Sequence, residues 1–419
     1  MKPPRVVVIG AGVVGACVAQ ALAAEGCAVT IVEEATPGGE QAASFGNGAW
    51  ISPASIVPMS MPGLWRKVPA YLLDRKGPLT IRPAALPALA PWLLRFLAAG
   101  VTQARAAAIA RALASLLRDA PHRHAGLAAE TGAQDLIRRS GLLYVYADRA
   151  HFEDEALAWR LRADNGVGWR ELDAGEVHAR APQLGARYEF GALVESGAHC
   201  RDPGGYVAAI VAHAISRGAS LVCARATGFA ISHGRLDAVE TTGGPIAADR
   251  AVIAAGVRSA TLARAVGDVI PLASERGYAV DIADPPFELA IPVMPGDGKM
   301  ANTSLDRGLR IAGQVELAQV NAAPDWRRAD ILLARARIAY PALAESNGSK
   351  VARWMGHRPS TPDGKPVIGR ASRCSDIIHA FGHGHIGLAT APATARIVAD
   401  LLTEATPAID PEPFSPRRF

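Results

Sequence analysis

The segment from Arg5 to Ile9 is a short apolar run that suits a buried strand. It leads into Gly10-Ala11-Gly12-Val13-Val14-Gly15 and a proline-free, alanine-rich stretch to about Glu25. That stretch predicts a helix, and Val29 to Val32 predicts a second strand ending at Glu33. Met1 to about Gly63 therefore reads as β–α–β followed by a loop rich in Gly, Ala, Ser and Asn. From about 64 to 195 helical patterns take over, with Ile109, Leu113 and Leu116 on one face and Arg111 and Arg118 on the other. Between Ser196 and Gly256 the β–α–β pattern returns: a helix from about Pro203 to Arg217, a strand at Leu221 to Ala224, a hairpin through Ser232-His233-Gly234-Arg235, and a strand from Arg250 to Ala254. Residues 261 to 354 read as mostly β, with turns at Asp284-Pro285-Pro286, Pro295-Gly296-Asp297-Gly298 and Asp306-Arg307-Gly308. The expected architecture is α/β. A discontinuous Rossmann-like domain takes residues 1–63, 196–260 and 355–419, and a second α+β domain on a mixed or antiparallel sheet takes 64–195 and 261–354.

Two motifs carry chemistry. Gly10, Gly12 and Gly15 stand between a strand and a helix, with Glu33 at the end of the next strand, which is the context a dinucleotide fingerprint requires. The first glycine makes the turn, the second lets backbone approach a pyrophosphate, the third allows helix and strand to pack closely, and the acid accepts a ribose hydroxyl. Glu34 beside Glu33 argues against a 2′-phosphate at that place. The second motif spans Gly356 to Gly387. Its first part sets Arg358, a planar and permanently charged fork suited to a carboxylate, before the turn residues Pro362, Asp363 and Gly364. Its second part runs from Ile377, Ile378, Ala380 and Phe381 through Gly382-His383-Gly384-His385-Ile386-Gly387 into a helical pattern. The unpaired N–H groups of such a helix start favour electron density on a bound ring.

The chain has 419 residues, half of them apolar, enough for two or three domains with sizeable cores. A net charge of +5 with no lysine-rich tract gives no footing for nucleic acid and is compatible with an anionic substrate or a membrane surface. Cys17, Cys27, Cys200, Cys223 and Cys374 show no CxxC or zinc spacing, and their odd number fits reduced thiols in a cytoplasmic protein. No metal site is expected, and the apolar N-terminal strand does not read as a signal peptide. The tract Leu86 to Val101, broken by Pro87, Pro91 and Arg95, is too short to span a bilayer and reads either as a packed helix pair or as a surface touching a membrane through Trp92, Leu93, Leu94, Phe96 and Leu97. The second alternative would make the protein peripheral to the inner face of the membrane. His122, His124 and His151 are expected at the surface, and Arg276 and Arg310 in internal ion pairs.

On the residues just quoted, the chain resembles the D-amino acid oxidase family of flavoproteins, and within it the bacterial D-amino acid dehydrogenases, over essentially its full length. The resemblance implies a glutathione-reductase-like FAD domain, hydride transfer from an amino acid's Cα to FAD, and a quinone or similar electron acceptor. It implies that Gly10 to Gly15 with Glu33 and Glu34 hold the ADP half, and that Gln41, Ala42, Ser44, Asn47 and Gly48 wrap the pyrophosphate, ribityl chain and ring. Ala226 stands where a backbone contact to adenine is expected, Ala254-Ala255-Gly256 at the strand end beside the ADP, and Gly382 to Gly387 against the flavin pyrimidine. Arg358 resembles the family's carboxylate anchor. Tyr278 either donates to the same carboxylate or packs in the sheet. His383 either gives only backbone contact with its ring turned away or faces the flavin, and His385 either shapes the pocket or takes a proton from the ammonium. His357 and His385 depart from the commoner residues at their positions, so the substrate is not inherited. With few aromatic residues near the motif, small or cyclic D-amino acids such as D-alanine, D-proline or a hydroxylated D-proline are expected. The alternatives are an oxygen-using oxidase, a nicotinamide-linked or monooxygenase flavoprotein, and a silent FAD-binding subunit. Oligomeric state is not legible in the sequence.

Overall fold

The computed structural model describes residues 3–66, 74, 77–345 and 350–419. Two large sheets organise the chain. The first has six strands in the order Ser220–Cys223, Ala28–Glu33, Arg5–Ile9, Arg250–Ile253, Ile377–Phe381 and Val367–Arg370, parallel except for the last. Its central strands are near-continuous apolar runs because helices cover one face and a further layer the other. Helix Val13–Ala24 buries Ala16, Cys17, Val18, Ala19 and Leu22 against this sheet and against helices Pro203–Ser216 and Gly387–Leu402. The hairpin expected at residues 232–235 joins Ala226–Ser232 to Arg235–Thr241, with His233 and Gly234 both at positive φ, as a two-residue turn requires.

The second sheet has nine mainly antiparallel strands, with Val351–Ser360, Ala273–Ile282 and Gly308–Leu317 adjacent and Leu79–Ile81 paired to the last. Four of its strands, Leu79–Ile81, Leu142–Tyr146, Arg170–Leu172 and Phe190–Val194, come from the stretch expected to be helical. Short, wholly buried runs such as Leu-Leu-Tyr-Val-Tyr carry no period that separates strand from buried helix. Conversely, the stretch expected to be mostly β contains helix Arg327–Ala339, which buries Ala329, Leu332, Ala336 and Ala339 at helical spacing.

Leu86–Ala99 is one helix and not a pair, with Pro91 inside it and Trp92 buried. Among the described residues no single helix is long and apolar enough to cross a membrane. His124 is another correction: it is fully buried, its ring bridging the Tyr206 hydroxyl at 3.0 Å and the Leu388 carbonyl at 2.8 Å. His122 and His151 are exposed. Arg276 pairs with Glu316 and Arg310 with Asp281, both internally. Arg358 was assigned by sequence to the nucleotide domain, yet its strand Val351–Ser360 pairs with Ala273–Ile282, so it rides on the second sheet. The chain crosses to the first sheet only through the turn at Pro362–Gly364, where Gly364 has φ +71°.

Candidate active site

A cavity of about 1340 Å³ opens at the C-terminal ends of the parallel strands and extends between the two sheets. It exceeds the roughly 300–1,000 Å³ of an ordinary small-molecule site, leaving room for a dinucleotide and a substrate together. At one end the three glycines separate by role. Gly10 has φ +102°, and a Cβ there would stand 2.6 Å from the Ala254 carbonyl oxygen. A Cβ on Gly15 would collide with the Gly10 carbonyl oxygen, so this glycine lets the helix lie on the strand. A Cβ on Gly12 would meet only Ser44 Oγ, at 3.7 Å, and would otherwise fill the cavity. Space where a side chain would sit, at a helix start whose N-cap residue is a glycine, fits a pyrophosphate.

Glu33 holds this turn: Oε2 accepts from Ala11 N at 2.7 Å, while Oε1 accepts from Glu34 N at 3.1 Å. It also lines the cavity, as do Gly10, Gly12, Val13 and Val14. Glu34 lines it too, with its carboxylate already paired to Arg225 and Arg258. Ser44 Oγ accepts from Val13 N at 3.3 Å, and Asn47 ties its own loop through Ser44 O and Ala49 N, both at 2.6 Å. Gln41, Ala42 and Gly48 continue this wall, and Ala226, Ala254, Ala255 and Gly256 face it at the strand ends. Ala11, Gly15 and Gly382 shape the turns without lining the cavity.

The C-terminal motif closes the other end. His383, Gly384, His385, Ile386 and Gly387 line the cavity at the start of helix Gly387–Leu402. The His383 ring is turned away: it is buried, bonds Thr394 Oγ1 at 3.0 Å, and burial pulls its pKa down to about 3. His385 lines the cavity and is exposed there. Burial lowers its pKa, the nearby Glu275 carboxylate opposes the shift, and Arg358 adds to it. A neutral imidazole in that place is able to accept a proton.

Arg358 reaches the cavity beside these groups. Its Nη1 donates to Glu275 Oε1 at 3.2 Å and to Gln314 O at 3.1 Å. Gly277, on the neighbouring strand, has no Cβ, and one would collide with the guanidinium. Tyr278 is a correction. It points to the opposite side of the sheet, fully buried, its hydroxyl donating to Glu316 at 2.6 Å and accepting from Asp325 N at 2.9 Å. Alternation along a strand decides this: if Gly277 lies under Arg358, Tyr278 cannot.

Several lining residues escaped sequence reasoning. Glu275 sits directly opposite Arg358 in register, and only the pairing of the two strands reveals it. Trp354 covers Gly46 and donates from its indole to Glu40 O at 2.9 Å. The apolar cluster expected to pack or to touch a membrane packs against Ala273 and Leu317 and supplies cavity wall through Trp92, Leu93, Phe96 and Leu97, with Trp92 and Phe96 stacked at 5.2 Å. The aromatic residues thought to be scarce near the motif therefore arrive from elsewhere in the chain. His357 lines the cavity and bonds Ser274 Oγ at 2.7 Å; burial, Arg276 and Arg258 lower its pKa. Among the described residues no group of His, Cys, Asp or Glu is placed to hold a metal.

A glycine turn with room for a pyrophosphate and an arginine at the other end of one large cavity suit an enzyme that works through a bound nucleotide cofactor. A family model described as "DAO: FAD dependent oxidoreductase" matches residues 5–401, and the chain belongs to that family, with FAD as its cofactor. It is 48% identical over 416 residues to a D-amino-acid oxidase of Bradyrhizobium diazoefficiens, covering 99% of each protein. It is 33% identical over 424 residues to D-amino acid dehydrogenase 2 of Ralstonia nicotianae, covering 98% of this chain and 99% of that one. The fold is shared with glycine oxidase from Geobacillus kaustophilus (TM-score 0.74, 23% identity, 99% of each chain). It is likewise shared with L-proline dehydrogenase from P. horikoshii (TM-score 0.76, 20% identity, 100% of this chain and 98% of that one).

Proposed function

We propose that the protein oxidises a D-amino acid at Cα, with Arg358 as the carboxylate anchor. The observation that carries the reading is an arginine with partly open donors, held by Glu275 and by the Gln314 and Gly313 carbonyls, at the substrate end of a cavity whose other end fits FAD. Bound FAD supplies the hydride acceptor. The chain's own residues do the rest. Arg358 fixes the carboxylate and so orients Cα. His385 takes a proton from the α-ammonium, leaving the amine lone pair free as the Cα–H bond breaks. Trp92, Leu93, Phe96 and Leu97 keep water from the reacting face and receive an apolar side chain. That wall is apolar and nothing in it recognises a charged side chain, which suits uncharged small or cyclic substrates such as D-alanine, D-proline or a hydroxylated D-proline.

For the electron acceptor we propose a quinone or another acceptor in place of oxygen, in keeping with relatives named D-amino acid dehydrogenases. Oxygen is the second reading, favoured by the relative at 48% identity named an oxidase. The deciding experiment mixes the purified holoprotein with D-amino acids under argon, follows bleaching of the flavin, and then compares dye turnover with peroxide formation in air. Bleaching by D-alanine or D-proline and not by L-isomers supports the reading, and no bleaching by any D-amino acid refutes it. Peroxide formed as fast as dye is reduced assigns oxygen as the acceptor.

A further inference from the structure

We infer that Glu275 and Arg358 together clamp a zwitterion, Arg358 taking the carboxylate and Glu275 the α-ammonium, so that Glu275 restricts the site to amino acids. This deepens the D-amino acid reading and rests on it.

An acid held against an anion-binding arginine is at first sight self-defeating. Glu275 Oε1 accepts from Arg358 Nη1 at 3.2 Å, so a ligand bearing only a carboxylate must share the guanidinium with Glu275 and brings two like charges together. A zwitterion brings its own cation. Its carboxylate replaces part of Glu275's claim on Arg358, and its ammonium gives Glu275 a new partner, so no charge in the cavity is left unpaired. The geometry suits the exchange. Glu275 Oε2 accepts from Ser360 Oγ at 2.9 Å, which fixes the carboxylate in place, and the residue is only 6% exposed, its open side lining the cavity.

The same logic extends to His385. Among the described residues, the charged or titratable groups around Glu275 are Arg358 from the adjoining strand, His385 from the turn before helix Gly387–Leu402, and Asp363, which lines the same small pocket with its carboxylate paired to Lys365 and Arg418; Trp92 and Ser360 complete the surroundings without charge. A proton leaving the ammonium breaks an N–H bond and forms one on the imidazole. Glu275, which already attracts that proton towards His385, then faces an imidazolium in place of the ammonium.

The test uses the holoenzyme with its flavin reduced beforehand by dithionite, so that no ligand is turned over, and binding measured by calorimetry under argon. The ligands are a D-amino acid that bleaches the flavin, the matching 2-hydroxy acid and the matching simple carboxylate. The wild type should bind the zwitterion at least about 100-fold more tightly than the simple carboxylate. Glu275→Gln, which keeps the shape and removes the charge, should retain FAD, bind the D-amino acid about 30-fold more weakly and bind the simple carboxylate about 10-fold more tightly. Unchanged discrimination in Glu275→Gln overturns the clamp, and so does parity of the two ligands in the wild type, a result that needs no variant. If no D-amino acid bleaches the flavin, the reading of function fails, and comparing glycine with acetate still tests the clamp separately.

Discussion

Gly12 and Gly15 share one turn, and replacing each by alanine should break different things. At Gly15 the added Cβ would collide with the Gly10 carbonyl oxygen and stand 2.9 Å from its carbon. Carbon pairs pack at about 3.5–4.0 Å, so helix Val13–Ala24 would have to back away by roughly 0.6–1.1 Å. That helix is packed on the first sheet and on two other helices, and overpacking of this kind costs about 1–3 kcal/mol. At about 2.1 cal/mol/K per residue, 419 residues give an unfolding entropy near 0.9 kcal/mol/K, so the apoprotein Tm should fall by about 1–3 °C. At Gly12 the Cβ meets only Ser44 Oγ at 3.7 Å, and φ −65° suits any residue. The apoprotein should therefore lose no more than about 1 kcal/mol, the cost of alanine at a helix N-cap. The holoprotein differs, because the methyl fills space that backbone needs to approach the pyrophosphate. FAD at 100 times its Kd stabilises by about 2.7 kcal/mol, about 3 °C by the same arithmetic, and Gly12→Ala should lose that increment. Thermal melts of both variants with and without added FAD, alongside the flavin-to-protein absorbance ratio, decide it. A Gly12→Ala protein that stays yellow and keeps the FAD-dependent Tm increment would refute the assignment of this turn to the pyrophosphate.

The other predictions concern the second half of the site and the core. Arg358→Ala should keep FAD and lower kcat/KM for the D-amino acid by about 10²-fold or more, with Arg358→Lys recovering only part because a point charge cannot make two parallel bonds; wild-type kinetics in Arg358→Ala would remove the anchor. His385→Asn should lower the rate of flavin bleaching by about 10²-fold. The wild-type rate should fall only as pH drops below the ordinary histidine value, because burial lowers the His385 pKa, and a pH profile with an acid limb above 7 would contradict this. His124, held near pKa 4 by burial against 6.5 when unfolded, gives stability that is whole above about pH 6.5 and lost as pH falls towards 4. Its share of the loss between pH 7 and 5 is about 2 kcal/mol, and His124→Asn should flatten Tm against pH by about 2 °C in that range.

What the sequence disclosed and what it withheld follow from the range of the interactions involved. The Gly10 to Gly15 turn was legible because strand, turn, helix and acid all lie within one local segment, and the requirements at each glycine are backbone requirements. The GHGHIG turn was legible for the same reason. Trp92 and Phe96 could be seen as an apolar cluster, but not which surface they would cover, since that depends on where helix Leu86–Ala99 docks. Glu275 was invisible as a site residue because its meaning comes from a cross-strand register 83 residues away in sequence. Tyr278 stayed open between two roles for a related reason: the segment was identified and its alternation was not phased, and a strand phased by Gly277 beneath Arg358 sends Tyr278 to Glu316.

The register also explains how two domains hold one reaction geometry. Arg358 belongs to the second sheet and the His383–Ile386 turn to the first, so a rigid relation between them needs a link outside either sheet. The backbone provides it: Gly384 N donates to Pro359 O at 2.9 Å, and Ser360 forms an isolated bridge with His383. Trp92 reinforces the same point from the third side, its indole donating to Ser360 O at 3.1 Å. Residues 359 and 360 are thus held by the flavin-side turn and by the apolar wall, while Arg358, one residue before them, stays free to face the substrate. Gly384, with φ +52° and a Cβ position only 3.3 Å from Ser360 Oγ, is one place where that approach is close. On the proposed reading, a side chain there would move the carboxylate anchor relative to the flavin. Even a displacement of about 1 Å at a reacting centre lowers rates by about 10²-fold. Gly384→Ala should therefore slow bleaching of the flavin by D-amino acids while FAD binding and the affinity for a carboxylate inhibitor stay close to wild type. An equal loss in all three would mean that the turn only supports the fold and does not set the distance between anchor and cofactor.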